Sequence, residues 1–367
     1  MQLEDQISEA RQVIHTDAYP MSIGEMINIY RDGEIDIHPE FQRQYRWKDY
    51  QKSNLIESIL LGIPLPSIFV AQREDGVWDV VDGLQRLSTI LSFVGELRDE
   101  NKKTLPPLVL EQTPYLSALK GASWTGESQN SFAISDDLKR AFKREKIDVK
   151  IIKKESDENA KFELFQRLNT GGSDLSEQEV RNCLLIMLDR SAYLWLKDAS
   201  DFPDFQNSVA LSERLKDEKY TMELALRFVI ATKYDDQVSI VESDIGPYIT
   251  NQMKELIRKN TFITSETLFK DTFSIINREL EDNAFKRYSS SKEKYEGQFS
   301  VSLFEYISTG VAYAIESKMP EIELVSKLHK NSKIIGEDRD FVDATKHGSR
   351  GINRFPKLIL LARKHFS

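Results

Sequence analysis

Asp82, Gly83, Gln85 and Arg86 crowd together in the stretch WDVVDGLQRLSTI, from Trp78 to Ile90. Its first half has the period of a strand. Its second half has that of an amphipathic helix, with Leu87, Ile90, Leu91 and Val94 at helical spacing. A strand that turns directly into a helix presents unpaired backbone N–H groups at the helix start, where the helix dipole also favours anions, and a glycine there lets a ligand approach closely. Arg86, about one turn into the helix, offers a planar fork for phosphate oxygens, and Gln85 can donate or accept hydrogen bonds. The chemistry this combination suits is phosphate binding. An ionised Asp82 beside a phosphate needs a cation between the two, which makes Asp82 a candidate Mg²⁺ ligand, direct or through water. The competing reading is structural: Asp is a favoured N-cap residue and an Asp-Gly turn needs no ligand, so spacing alone leaves both open.

The elements that must hold this turn are legible on either side of it. After a polar N-terminal helix candidate, MSIGEMINIYRDGEIDI reads as a short helix and a turn at Asp32-Gly33, followed by an extended IDIHPEFQRQYRW. From Asp49, Leu55, Ile56, Ile59 and Leu60 share a helical face, and Gly62 stops the helix. SIFVAQ is then a buried strand, joined to GVWDVVDG through Asp75-Gly76, a hairpin signal. Between Asn101 and Asp137 the chain is rich in Pro, Ser, Gly and Asn, as expected of an insertion or long loop with a few apolar anchors. KIDVKIIKK alternates like a strand, DENAKFELFQRLNTGG reads as a helix ending at a glycine C-cap, and Ser176 with Glu179 forms a capping box for the next helix. From about Ser191 every periodic segment is helical, and RYSSSKEKYEGQ reads as an exposed connector. The expected fold class is α+β: a small mixed sheet with helices over residues 1–190, followed by an all-helical region over 191–367.

Composition narrows the function classes. A formal net charge of -9 over 367 residues excludes coating of nucleic acid through bulk charge, so any such contact must use a local basic patch. The single cysteine, Cys183, excludes an internal disulfide and a cysteine-based zinc cluster and reads as a core thiol. His15, His38, His329, His347 and His365 lack metal-ligand spacing, so zinc is not expected. The first residues fit neither a secretory signal nor a membrane anchor, and a cytoplasmic protein with no membrane partner is the default expectation. From Ala344 to Ser367 there are six Lys and Arg residues and no acid. Lys346, Arg350 and Arg354 lead as candidate DNA contacts, beside Lys357, Arg363 and Lys364. Alternatively, these charges complement the dipole of a C-terminal helix starting at Pro356.

PEFQRQYRW (Pro39 to Trp47), LIESILLGIPLPSIFV (Leu55 to Val70), VDGLQRLSTI (Val81 to Ile90) and FELFQRLNTGGSDLSEQEVRN (Phe162 to Asn182) stand in the order and spacing of one family. Together they resemble the N-terminal domain of GmrSD-type modification-dependent restriction systems (domain of unknown function 262), a ParB/sulfiredoxin-like fold. RLKDEKYTMELALRF (Arg214 to Phe228) extends the likeness more loosely into the helical part.

The family signature Asp-Gly-Gln-Gln-Arg is linked to nucleotide binding and hydrolysis. The resemblance carries its roles onto Asp82, Gly83, Gln85 and Arg86, with Asp82, Gln85 and Arg86 as catalytic candidates. Leu84 replaces the first glutamine, and because glutamine can orient a water and leucine cannot, binding should survive this change better than hydrolysis.

By the same resemblance Gln42 and Arg43 face the phosphate pocket, and Arg167, Asn169 and Gly171 lie near the nucleotide, with Arg181 and Asn182 ranking lower. The residues alone also allow solvated charges at 42, 43 and 46, and a helix C-cap at Gly171-Gly172. The implied cofactors are a nucleoside triphosphate and Mg²⁺. The implied role is a sensor or regulator in restriction or anti-phage defence, acting on DNA or through an effector partner. A binding module without hydrolysis is the alternative. Two-part systems of this kind carry a further nuclease domain containing His and Asn. His347 and Asn353 alone do not make one and are read as loop residues, so nuclease activity by this chain is not expected.

Overall fold

Alternation along Lys146–Ile152, with Ile147, Val149 and Ile151 buried and Lys146, Asp148 and Lys150 exposed, makes this segment a strand with one face in the core. In the computed structural model, which describes residues 15–37, 47–99, 101–127, 130–156, 176–263 and 266–367 together with Leu3, the chain divides into two units, Met1–Asp174 and Leu175–Ser367.

The first unit holds, in chain order, β1 (Thr16–Ser22), α1 (Ile23–Arg31), β2 (Ile35–Asp36), α2 (Asp49–Leu60), β3 (Ile68–Gln72), β4 (Trp78–Asp82), α3 (Leu84–Val94), short β5 (Ala122–Ser123) and β6 (Phe132–Ala133), α4 (Asp136–Arg144) and β7 (Lys146–Ile152). The main sheet has the order β1-β7-β3-β4-β2. β1–β7 and β3–β4 are antiparallel, while β7–β3 and β4–β2 are parallel. Ile68, Val70, Ile147 and Val149 of the sheet join Ile27, Ile56, Ile90 and Phe93 of the helices in one core. Each such side chain stabilises by about 1.5–3 kcal/mol on burial.

The hairpin at Asp75-Gly76 forms as the sequence predicts, with Gly76 at φ 88°. β1 has no counterpart in the sequence reading. TDAYPMS contains Pro20 and does not alternate, and such a segment is tolerated as a strand only at an edge, which is where the sheet places it.

The Pro- and Ser-rich segment after Asn101 is not a free loop. Buried Glu57 of α2 accepts hydrogen bonds from the Thr113 hydroxyl (2.5 Å) and from the N–H groups of Tyr115 (2.9 Å) and Leu116 (2.7 Å). Leu108, Leu110 and Leu119 are buried, and Trp124 packs edge-on against Phe93 and Phe142.

The second unit contains α5 (Glu177–Leu188), α6 (Arg190–Ser200), α7 (Pro203–Ser208), α8 (Glu213–Asp217), α9 (Tyr220–Thr232), α10 (Ile245–Arg258), α11 (Glu266–Leu280), β8 (Arg287–Ser289), β9 (Lys294–Glu296), α12 (Val301–Glu316), α13 (Glu321–Ile334), α14 (Arg339–Thr345) and α15 (Gly351–His365). The capping box at the start of α5 forms as expected: Ser176 Oγ accepts from the Glu179 N–H at 3.2 Å, and the Ser176 N–H donates to Glu179 Oε2 at 2.8 Å.

Two expectations are corrected here. RYSSSKEKYEGQ holds the hairpin β8–β9, with Tyr288 opposite Tyr295 and their rings 5.1 Å apart, whereas strands of three residues are too short to leave a period in sequence. The C-terminal helix starts at Gly351, so Pro356 lies inside it and Asn353 is helical; His347 does lie in a turn. Among the described residues no helix is long and apolar enough to cross a membrane.

Candidate functional site

β4 ends at Asp82, and the chain passes through Gly83 alone into α3. Gly83 sits at φ 96° and ψ 12°, in the left-handed region that an L side chain rarely enters. A Cβ here would also lie 3.0 Å from Ile68 Cγ1 and 3.1 Å from Arg86 Nη2, so glycine is favoured on both counts. Opposite the turn the β3–β4 ladder slips by one residue, Phe69 pairing with Asp82 and Val70 with Val80. Such a bulge bends a strand and re-aims the residues that follow it.

The structure does not bear out the N-cap reading of Asp82. The N-cap of α3 is Gly83, and no side chain caps the helix. Asp82 remains in the strand and holds Arg86, four residues on, through a 3.0 Å bond from Arg86 Nη2 to Asp82 Oδ2. The same Nη2 donates to the Ser67 carbonyl at 3.1 Å. Arg86 Nε is buried and has no hydrogen-bond partner among the described residues. A buried donor without a partner costs about 1–3 kcal/mol. The carboxylate is half-buried, with 32% of its side chain exposed against 15% for Arg86, so the acid is more open to solvent than the arginine.

Gln85 Oε1 accepts from the N–H of Trp47 at 3.4 Å. Leu84 packs against the core of the sheet unit. Asp82, Gly83, Gln85 and Arg86 are therefore assembled at one turn, whereas Gln42, Arg43, Arg46, Arg167, Asn169 and Gly171 lie outside the described residues.

A further cation belongs to this end of the sheet. Lys150 of β7 lies in register with Phe69 of β3, which is in register with Asp82. Its exposed ammonium sits 5.0 Å from the centroid of the Phe69 ring. The signal was present in the alternation of KIDVKII, but only the strand order brings Lys150 into line with the signature.

The lower-ranked candidates of the helical unit have a different setting. Arg181 is buried and donates to Glu223 (3.0 Å), Glu177 (2.7 Å), Gln178 (2.9 Å) and Thr250 (3.2 Å). Asn182 accepts from Gln178 at 2.8 Å. Arg227 bridges Glu223 (2.7 Å) and Glu305 (2.8 Å), and Arg354 closes the series on Glu305 at 3.1 Å. Arg354 thus ends a buried ladder of charges, while Lys346 and Arg350 are exposed. Burial of the sulfur pushes the Cys183 thiol of α5 up to about 12, although the residue as a whole is half-buried and stands at the margin of the core.

Residues 23–186 match the family model described as the GmrSD restriction endonuclease, N-terminal domain. No curated protein and no solved structure matches the chain. The matched range contains the whole α+β sheet from α1 onward together with the Asp82–Arg86 turn. Over these residues, a little under half of its length, the chain is similar to the N-terminal domains of GmrSD restriction endonucleases.

Proposed function

We propose that this chain is a nucleotide-binding sensor or regulator of a restriction or phage-defence system, with ParB-like use of the Gly83 turn to hold the phosphates of a nucleoside triphosphate. The observation that carries the reading is Arg86. Its guanidinium is fixed at one nitrogen by Asp82 and the Ser67 carbonyl, its Nε has no partner among the described residues, and it stands beside a helix start that no side chain caps. A phosphate at the turn would meet the first N–H groups of α3 and a pre-oriented guanidinium together.

The residues present suit Mg²⁺ only as a companion of the phosphates. Asp82 supplies one carboxylate, already shared with Arg86, and Mg²⁺ typically takes one or two carboxylates, with waters and phosphate oxygens completing its shell. Bound there, the ion would neutralise phosphate charge beside Asp82. Gln85 can orient a nucleotide group or a water through its amide.

A second reading, binding without turnover, is favoured by Leu84. Its side chain packs on the core and brings no polar group to the signature. Isothermal titration of the purified chain with nucleoside triphosphates, with and without Mg²⁺, tests the proposal, and phosphate release separates its two forms. Absence of binding to every triphosphate would overturn both. Binding with no release selects the second, and Leu84→Gln should then raise release with little change in affinity.

A further inference from the structure

The structure sorts the six basic residues of the C-terminal stretch into two kinds. Arg354 and Arg363 turn inward: Arg354 pairs with buried Glu305, and Arg363 donates to the carbonyls of Tyr234 (2.9 Å) and Ala231 (3.5 Å). Lys346, Arg350, Lys357 and Lys364 are exposed, and none forms an ion pair among the described residues. Three of them, Lys346, Arg350 and Lys357, line an open cleft of about 600 Å³ between α14 and α15, with Ser349 and Asn353 as neutral donors and Asp343 as its one acid. At the margin, where Asn353 and Lys357 meet a second hollow, Glu242 is held by Asn251 at 2.8 Å.

Arg350, Lys357 and Lys364 recur at seven-residue intervals, which places them on one side of α15. At 1.5 Å per residue they are about 10 Å apart and span about 21 Å. That reach exceeds one phosphate group and suits a run of them, such as a strand of duplex DNA with one phosphate every 3.4 Å or so along its axis. On a chain of net charge -9, a row of unneutralised cations without intervening acids is a local exception that favours a polyanion.

We propose that this side of α15, with the cleft at its start, receives the phosphodiester backbone of double-stranded DNA. Lys346, Arg350, Lys357 and Lys364 contact phosphates without reading sequence, and Arg354 and Arg363 hold the helix from behind. The contacts are electrostatic, so affinity falls steeply with salt.

The test is fluorescence anisotropy of a labelled random-sequence duplex with the full chain at several salt concentrations. With four phosphate contacts the slope of log K against log[salt] should be about -3.6, and replacing Lys346, Arg350 and Lys357 together by Ala should reduce its magnitude by about 2.7. Affinity at low salt should fall about tenfold or more. A control triple variant, Lys216→Ala with Lys259→Ala and Lys270→Ala, removes three exposed lysines from other helices of the same unit and should leave the slope unchanged. Equal slopes for parent and cleft variant, or an equal loss in the control, overturns the proposal. So does a parent that binds no duplex, and if that parent still binds triphosphate, the reading of the Gly83 turn stands while this one falls. Intact triphosphate binding and an unshifted melting transition in the cleft variant show that folding is not what changed.

Discussion

Asp82–Arg86 in the sheet unit and Glu223–Arg227 in the helical unit are the same device, an acid four residues before an arginine, put to different ends. Arg227 spends all three nitrogens on protein: Nε and Nη2 on Glu223, Nη1 on Glu305. Glu305 is in turn shared with Arg354, and Glu223 with Arg181. Among the described residues every nitrogen of Arg227 and of Arg181 is thus committed to protein. Arg86 spends one nitrogen, Nη2, on Asp82 and Ser67, while its Nε is buried without a partner among the described residues. Saturated charges rigidify a core, whereas a buried donor without a partner, beside a glycine turn and a helix without a side-chain cap, is what the proposed phosphate site rests on.

Breaking the saturated side should have the largest effect. Glu305→Ala takes the carboxylate from Arg354 and from Nη1 of Arg227 at once, leaving Arg227 only Glu223, and removing one partner from a buried pair costs about 3–5 kcal/mol. Denaturant unfolding should show this as a lower midpoint, and an unchanged midpoint would mean that the ladder contributes nothing to stability. Arg86→Ala should do the opposite. Stability should change little, while triphosphate affinity falls by about 1.5–3 kcal/mol, roughly 10- to 150-fold. A titration in which Arg86→Ala binds as well as the parent would make Arg86 as structural as Arg227 and erase the contrast.

Gly83→Ala sharpens the comparison at the backbone. The positive φ and the 3.0 Å approach to Ile68 should cost about 1–2 kcal/mol of stability. Nucleotide affinity should fall with it, because the added methyl lies beside Arg86 Nη2. A melting curve with paired titration checks both.

Smallest, and confined to acid, is the response of Glu223. Burial alone would raise its carboxyl, but the guanidiniums of Arg227 and Arg181 outweigh burial and hold it below the ordinary 4.5. A depressed carboxyl stabilises the fold above its unfolded value, and that contribution is lost as pH falls through the folded value. Stability should therefore decline below about pH 4.5, the value for an unperturbed Glu. Glu223→Gln, though less stable at neutral pH, should show a flatter decline over the same range.

Much of the sheet unit was legible because it is built from local signals. Period, Asp-Gly turns and capping residues located α1 to α3, β3, β4, β7 and the capping box of Ser176 and Glu179, since each depends on residues within a few positions of one another. Where the signal was too short or masked by proline, as in β8–β9 and β1, the strand emerged only through its partner.

The sequence by itself determined that Asp82, Gly83, Gln85 and Arg86 meet at a strand-to-helix turn, that the chain is α+β with a helical C-terminal region, and that its last stretch, from Ala344 to Ser367, carries basic residues and no acid. It could not tell Asp82 the cap from Asp82 the candidate Mg²⁺ ligand, because both readings use the same spacing, and it gave no sign of the pairing with Arg86 that the structure shows. Nor could it separate Arg354 from Arg350, both plain basic residues on the page. The tertiary structure decided these points by bringing together groups distant in sequence: Glu305 reaches Arg354 from 49 positions away, and Ser67 reaches Arg86 from 19. A charge is committed or left free by what lies opposite it in space, and that is fixed only when the helices and strands pack.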